Sequence, residues 1–294
     1  MRRGTYSIVA RDPHTGELGA AVQSHWFGVG PIVPWVRPGV GAVCTQSIAE
    51  PAYGPRGLDL MADGARAVEA LDALLSDDEQ GRYRQVAAVD VHGNVAVHTG
   101  SGCIAHAGDQ GGHQFSAQAN MMASPDVWPA MARAYESAAG PLARRLLAAL
   151  NAAEAQGGDA RGRQSAALLV APAAGEPWRR TVDLRVDDHP EPLAELGRLL
   201  DLSDAYDLAT QGDDLVGEGR HEEAGDRYRR AAELAPGNHE LLFWAGLAAA
   251  QAGDMPTALQ RVREAIRLQP GWRELLDRLE PDIAPAAGAV RDAL

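Results

Sequence analysis

The sequence predicts an α+β protein whose first domain is layered in the order α/β/β/α and whose tail is entirely helical. Short apolar strands cluster before residue 122 and again after residue 164, and two helical stretches separate the two groups. That order favours stacked sheets and helices over a doubly wound parallel sheet. No strand pattern remains after about residue 200. We therefore divide the chain into residues 1–200 and residues 201–294.

The first two predicted strands form a hairpin. Apolar runs at 6–10 and 18–22 flank the segment 11–16, which contains the turn formers Asp, Pro and Gly. Both runs are almost continuously apolar, so we expect both faces of their sheet to be covered.

The remaining elements of the first domain follow from apolar spacing and from turn residues. The order is an irregular Gly/Pro-rich segment at 28–41, a strand at 41–47, a helical stretch over 53–75, strands at 85–91 and 94–98 that turn at His92 and Gly93, a glycine-rich loop at 99–112, a strand at 115–122, helices at 127–137 and 142–155, and strands at 165–170 and 181–186.

The tail contains an internal repeat of 34 residues, in which 205–238 recurs as 239–272. Its paired positions include Gly212 with Gly246 and Pro236 with Pro270. Small residues at helix crossings and a proline after the second helix are typical of two tetratricopeptide repeats, with 273–279 as a capping helix. Because fewer than three repeats are rarely stable alone, we expect the tail to pack against the first domain or another subunit.

Composition excludes several classes of function. The net charge of −13 argues against nucleic acid and anionic membrane surfaces as partners. The sequence contains no lysine, which excludes a P-loop, a Schiff-base enzyme and a lysine general base. Two cysteines, no membrane-length apolar run and no secretory signal indicate a protein of the reducing cytoplasm.

Thr5 is the first candidate catalytic residue. Cleavage of the Gly4–Thr5 bond would leave a threonine with a hydroxyl nucleophile and its own α-amine as base. The reference pKa of such an amine, about 7.7–8.0, suits proton transfer near neutrality. From spacing alone, an ordinary strand-opening residue is the favoured interpretation of Thr5.

Several polar residues end or line apolar strands. Ser116, Gln118 and Asn120 alternate along one strand, and the amide of Asn120 can donate to an oxyanion or be a satisfied buried amide. Ser24 and Gln46 lie at the ends of two other strands and are candidates for a pocket wall.

The segment 98–113 gathers the titratable side chains His98, Cys103, His106, Asp109 and His113. They are candidate zinc ligands, and Cys103 with His106 is a candidate nucleophile pair. The spacing matches no standard zinc pattern, so a pocket rim is the favoured interpretation. On the last predicted strand, Arg185 between Asp183 and Asp187 is more typical of an ion-pair ladder than of a site.

Seven ordered motifs resemble those of the domain-of-unknown-function 1028 family, which lies in the N-terminal-nucleophile hydrolase superfamily. They are TYSIVARDPHTGELGAAVQS, GVGAVCTQS, YGPRGL, HTGSGC, SAQANMM, GGDARGRQSAALLV and DLRVDDHP. The resemblance covers about residues 5–200 and implies a four-layer α/β/β/α sandwich and amide-bond hydrolysis. In this chain Arg2, Arg3 and Gly4 precede the threonine that the resemblance makes the nucleophile, so exposure of Thr5 requires cleavage of the Gly4–Thr5 bond or a start codon different from that of Met1.

These observations and the resemblance together predict a hydrolase that cuts a C–N amide bond of a small substrate without a cofactor or a metal. Thr5 would attack, and Asn120 would hold the oxyanion. Pocket residues would be Ser24, Gln46, His98 and Arg185. The repeats would recruit a protein partner or mediate self-association. Two alternatives remain open: a non-catalytic binding or scaffold protein that keeps the fold, and a metal hydrolase that uses the 98–113 loop.

Overall fold

The computed structural model describes residues 4–294, and it forms two compact units, one ending at Gly197 and the other spanning Arg198–Leu294. The first three residues of the segment that cleavage is expected to remove, residues 1–3, lie outside the described residues. The strands of the first unit are β1 (Thr5–Arg11), β2 (Leu18–Ser24), β3 (Pro34–Arg37), β4 (Gly41–Ser47), β5 (Arg84–Asp90), β6 (Val95–Thr99), β7 (Gly108–Gly112), β8 (Phe115–Asn120), β9 (Ser165–Ala171) and β10 (Val182–Val186).

These strands form two antiparallel sheets. The first has six strands in the order β10-β9-β2-β1-β8-β7, and the second has four in the order β3-β4-β5-β6. Because strand side chains alternate between faces, Val9, Leu18 and Ala20 point from the first sheet into a shared core with Cys44 and Val89 of the second. The two sheets therefore pack face to face, with β1 near the middle of the first.

Helices cover the outer face of each sheet, which explains why the strands are apolar on both sides. On the second sheet lie α1 (Tyr53–Ala62) and α2 (Ala67–Leu75), whose leucines pack with Val43 and Val86. On the first sheet lie α3 (Val127–Ser137) and α4 (Leu142–Ala155). Gly19 of β2 permits the close approach of α4, since a Cβ there would lie 2.7 Å from a methyl carbon of Leu146. The predicted α+β class with two helices between strand groups is confirmed.

The prediction of a loop throughout 99–112 is wrong, because β7 occupies its second half. Gly108 pairs with Ala119 and Gly112 pairs with Phe115 in an antiparallel ladder with β8. The strand is held by its backbone and has no apolar side chains, so it leaves no alternating pattern in the sequence. At the start of β3, Pro34 is tolerated because β3 is an edge strand of its sheet.

The described part of the second unit is helical, as predicted. Its helices are the end of α5 (Pro192–Gly217), α6 (His221–Leu234), α7 (His239–Gln251), α8 (Met255–Leu268), α9 (Gly271–Arg278) and α10 (Ala287–Ala293), the last of which was not predicted. Gly212 and Gly246, a matched pair of the 34-residue repeat, lie at helix contacts. A Cβ on Gly212 would lie 2.9 Å from the ring of Tyr228, and one on Gly246 would lie 2.7 Å from Val262. Among residues 4–294, none of the helices combines the length and hydropathy that a membrane span needs.

Candidate active site

Thr5 occupies the first position of β1, between two strands that each bring a predicted site residue to it. In the antiparallel register Thr5 lies opposite Ser24 of β2 on one side and opposite Asn120 of β8 on the other. Thr5 and Ser7 share the face of β1 that meets the second sheet. The side chain of Thr5 is buried, with 1% of its surface exposed.

The Gly4–Thr5 peptide is surrounded by hydrogen-bond donors. The hydroxyl of Thr5 lies 3.0 Å from the hydroxyl of Ser24. Ser24 Oγ in turn donates to the carbonyl oxygen of Gly4 at 2.5 Å, and Arg161 Nη2 donates to the same oxygen at 2.9 Å. The Thr5 hydroxyl therefore lies next to a carbonyl that accepts hydrogen bonds from two side chains.

A buried aspartate faces the other side of Gly4. A Cβ on Gly4 would lie 2.8 Å from both carboxylate oxygens of Asp159, so a side chain there would have to displace this carboxylate. Asp159 accepts from the backbone N–H groups of His25 and Arg161 and pairs with the Arg161 guanidinium at 2.8 Å. This arrangement explains the motif GGDARGRQ: its glycines form the turn after α4, and its Asp and Arg reach the start of β1.

A network of buried amides contacts Thr5 from the second sheet and from β8. Gln46 Nε2 lies 3.3 Å and Asn120 Nδ2 lies 3.4 Å from the carbonyl oxygen of Thr5. Both amides also donate to Gln85 Oε1, at 2.8 Å and 3.0 Å respectively. Gln85 Nε2 donates to Thr99 Oγ1 at 3.0 Å, which fixes the orientation of the Gln85 amide.

The same network extends along β1. Ser7 Oγ donates to Gln46 Oε1 at 2.6 Å and accepts from Gln118 Nε2 at 2.7 Å. The space between the sheets is thus apolar at one end and filled with neutral amides and hydroxyls at the end where Thr5 lies. Neutral hydrogen-bond donors of this kind can stabilise a developing oxyanion without a lysine.

Backbone strain marks two positions that follow the amides contacting Thr5. Ser47, directly after Gln46, has φ of 70°, and Met121, directly after Asn120, has φ of 58°. A side chain larger than glycine in this left-handed region is uncommon and costs of the order of 1 kcal/mol or more. Strain of this kind clusters at functional sites in proteins.

A cavity of about 370 Å³ opens beside these two strained residues. Ser47, Ser101 and Asn120 contribute its polar wall, and Asn120 joins it to the surroundings of Thr5. The glycines of HTGSGC let this loop lie flat against its neighbours, since a Cβ on Gly102 would lie 2.5 Å from the ring of Tyr83. This is the size of a site for a small molecule.

The structure places two of the predicted pocket residues elsewhere. His98 Nε2 lies 2.9 Å from the carbonyl oxygen of Gly81, which ties β6 to the turn before β5. Arg185 pairs with Asp183 on β10, an edge strand three strands away from β1, or roughly 14 Å at the usual strand spacing. By contrast Thr5, Ser24, Gln46 and Asn120 come together. The sequence alone could not separate the residues that meet at Thr5 from the two that do not, because the separation depends on which strands become neighbours.

The cysteine of the 98–113 loop is a poor nucleophile. Burial raises the pKa of the Cys103 thiol, and its Sγ lies 3.4 Å from the carbonyl oxygen of Arg84. In the part of the chain that the structure describes, no three His, Cys, Asp or Glu side chains are grouped so that they could hold a metal ion.

Sequence reasoning missed Gln85 and Asp159, and it missed Arg161 as a donor to the Gly4 carbonyl. Gln85 opens an apolar strand as a polar residue, which is the pattern that singles out Gln46. Asp159 lies in a glycine-rich segment between a helix and a strand, where an aspartate is typical of a turn. Its signal in the sequence is a charged residue between glycines and arginines after a helix, and that pattern alone does not show that it faces Gly4.

Comparison with known proteins gives a family and a solved relative. A model described as a family of unknown function, DUF1028, matches residues 5–196. The crystal structure of protein SPO2555 from Silicibacter pomeroyi, assigned to DUF1028, is 35% identical with a TM-score of 0.62, and the match covers 67% of this chain and 84% of that chain. Anbu, the ancestral beta-subunit from Yersinia bercovieri, is 13% identical with a TM-score of 0.35 over 65% of this chain and 90% of that chain, which is too weak to carry an argument. No curated protein matches the chain at a significant level. Since the family model covers more than half of its length, the chain belongs to the DUF1028 family.

Proposed function

We propose that this protein is an amide hydrolase of the N-terminal-nucleophile type, with Thr5 as its nucleophile. The observation that carries the proposal is the Gly4–Thr5 peptide, whose carbonyl accepts from Ser24 and Arg161 beside the Thr5 hydroxyl. Two facing antiparallel sheets with helices outside, and a threonine that opens a central strand, fit the four-layer sandwich of that superfamily.

Exposure of Thr5 would begin with attack of its Oγ1 on the carbonyl carbon of Gly4. The oxyanion that forms is stabilised by the donors already on that oxygen, the Ser24 hydroxyl and the Arg161 guanidinium. Collapse breaks the C–N bond, moves the acyl group from nitrogen to oxygen, and leaves the nitrogen as an amine. Water then hydrolyses the ester, which releases a chain ending in the Gly4 carboxylate and frees the Thr5 hydroxyl and amine.

The freed threonine then acts on a substrate amide. Its α-amine removes the hydroxyl proton, and the hydroxyl attacks the substrate carbonyl. Asn120 Nδ2, with backbone N–H groups near the strand end, stabilises the tetrahedral oxyanion, and Gln46 holds the Thr5 backbone in register. The Asp159 carboxylate, which is buried beside the position that Gly4 occupies before cleavage, would hold the freed α-amine of Thr5 by charge.

We propose that the helical unit binds a protein partner or a second copy of the chain. Its 34-residue period and the glycines at its helix contacts fit tetratricopeptide repeats. Such repeats present surfaces for protein partners or for self-association.

The experiment that tests the proposal is intact mass of protein made in its native host, combined with Thr5 variants. The mature chain should begin at Thr5. Thr5→Ala should abolish cleavage and hydrolysis, and Thr5→Ser should retain part of both because its hydroxyl and amine remain. Thr181→Ala, which removes the hydroxyl of an exposed threonine that donates to the Val170 carbonyl in the same unit, is the control and should leave cleavage and hydrolysis unchanged.

Hydrolysis should rise as an amine with a pKa near 7.7–8.0 loses its proton. A hydrolytically active chain that still carries residues before Thr5 would refute the mechanism, and the fold would be unaffected.

A further inference from the structure

The cavity beside Asn120 has a wall without formal charge. Its polar side chains are Ser47, Ser101, Asn120 and Tyr83, and its apolar side chains are Ile48 and Ile104. The remaining lining residues, Gly102 and Cys103, are also uncharged at neutral pH, since burial raises the pKa of the thiol.

Three charged side chains near this wall have partners of their own. Arg84 Nε pairs with Asp78 at 2.7 Å and Nη1 donates to the carbonyl oxygen of Ile48 at 2.6 Å. The Arg82 guanidinium lies against the ring of Tyr83, 4.8 Å from its centroid, and is not part of the wall. Asp109 accepts from Thr99 Oγ1 at 2.6 Å. An ion that entered the cavity would therefore find no side chain of opposite charge in the wall itself.

We infer that this cavity is the specificity pocket of the enzyme and that it takes an uncharged group of the substrate, one with both a polar and an apolar side. The inference that the cavity binds a substrate rests on the proposed function. The inference that it prefers neutral ligands depends only on the residues that line it. Burial of an unpaired charge costs several kcal/mol, whereas a neutral amide or hydroxyl can exchange hydrogen bonds with Ser47, Ser101 and Asn120. With about 30 Å³ for each water, the volume corresponds to roughly a dozen water molecules, enough for a ring or a short chain.

Cys103 provides a reporter that does not depend on catalysis. It lines the cavity, whereas the other cysteine, Cys44, is fully buried. Methanethiosulfonates convert a thiolate to a mixed disulfide and release methanesulfinate, and they exist in closely similar neutral, anionic and cationic forms. The full chain is labelled at pH 8.5 and high salt, which screens its net charge of −13, with hydroxyethyl, sulfonatoethyl and trimethylammonioethyl methanethiosulfonate.

The expected result is that Cys103, identified by peptide mass, reacts with the neutral reagent at least about tenfold faster than with either charged one. Each rate is normalised to the same reagent's rate with 2-mercaptoethanol, and Cys103→Ser gives the background. Benzamide should slow labelling, while benzoate and benzamidinium, which have nearly the same shape, should not. Equal or faster labelling by a charged reagent, protection by a charged ligand, or no labelling by any reagent would overturn the inference.

A designed charge supplies a second test. Ser101→Asp adds a carboxylate to the exposed part of the wall and should raise the relative rate of the cationic reagent several-fold, whereas Ser137→Asp, at an exposed serine on α3, should not. The same measurements on the Thr5→Ala chain should give the same preferences. A wild-type chain that shows these labelling preferences but hydrolyses no amide would refute the proposed function alone. A wild-type chain that hydrolyses an amide but lacks these preferences would refute this inference alone.

Discussion

The buried amide of Gln85 is expected to be a main stabilising element of the site. It accepts from Gln46 and Asn120, and its Nε2 donates to Thr99 Oγ1 and to two strand carbonyls, those of Gly108 at 3.2 Å and Ala119 at 2.9 Å. Gln85→Met keeps the length and most of the volume of the side chain, so it removes these bonds without leaving a large cavity.

The expected loss of stability follows from the hydrogen bonds that each partner of Gln85 keeps in the variant. The Nε2 of Gln46 and the Nδ2 of Asn120 retain only longer bonds to the Thr5 carbonyl, at 3.3 Å and 3.4 Å, and Gln46 Nε2 keeps one more to a strand carbonyl. At about 1 kcal/mol for each net hydrogen bond, and more where a buried group is left unsatisfied, the free energy of unfolding should fall by roughly 2–5 kcal/mol.

A matched control lies in the same unit. Gln23 is as fully buried as Gln85, but within residues 4–294 neither its Oε1 nor its Nε2 has a hydrogen-bond partner. Gln23→Met should therefore change stability by less than about 1 kcal/mol, or even increase it, because an apolar group replaces an unsatisfied polar one.

The assay is a urea titration with pulsed hydrogen exchange, read by mass spectrometry on peptides from β5 and β8. These peptides report unfolding of the sheet unit separately from the helical unit, which a single optical signal would mix. If Gln85→Met and Gln23→Met shift the transition equally, the amide network does not stabilise the site and the reasoning fails.

Two further predictions concern Gly4 and Asp78. Gly4→Ala should slow or abolish cleavage before Thr5 in an intact-mass measurement, because its Cβ would lie 2.8 Å from the Asp159 carboxylate; Gly225→Ala, in open space on α6, should leave cleavage unchanged. The hydrogen bond from Arg84 lowers the pKa of Asp78 from its ordinary 3.8 to about 2. Since the folded-state pKa is depressed, the stability it contributes is fully present above about pH 4 and is lost as the pH falls towards 2. An acid titration of Asp78→Asn should show a smaller loss over that range than wild type, and parallel curves would contradict the assignment.

The strands and helices were largely predictable because apolar periodicity and turn residues are local. The two strands that the sequence did not resolve, β3 and β7, are short edge strands whose side chains give no clear alternation. Ser24, Gln46 and Asn120 were also identifiable, because each is a polar residue at or near the end of an apolar strand, whereas Thr5 became the candidate nucleophile through the family resemblance. His98 and Arg185 fit the same kind of local pattern, and only the strand order separates them from the site.

By itself the sequence determined the element types, the helical tail and the chemistry available at the strand ends: hydroxyls and neutral amides, with no lysine. The tertiary structure decided which of these groups meet. The register of β1 against β2 and β8 sets Thr5 between Ser24 and Asn120, and a shift of one residue would turn Thr5 to the other face. The contact of Asp159 with Gly4 joins residues 155 positions apart in the chain, and such a contact depends on the packing of whole elements rather than on any local pattern.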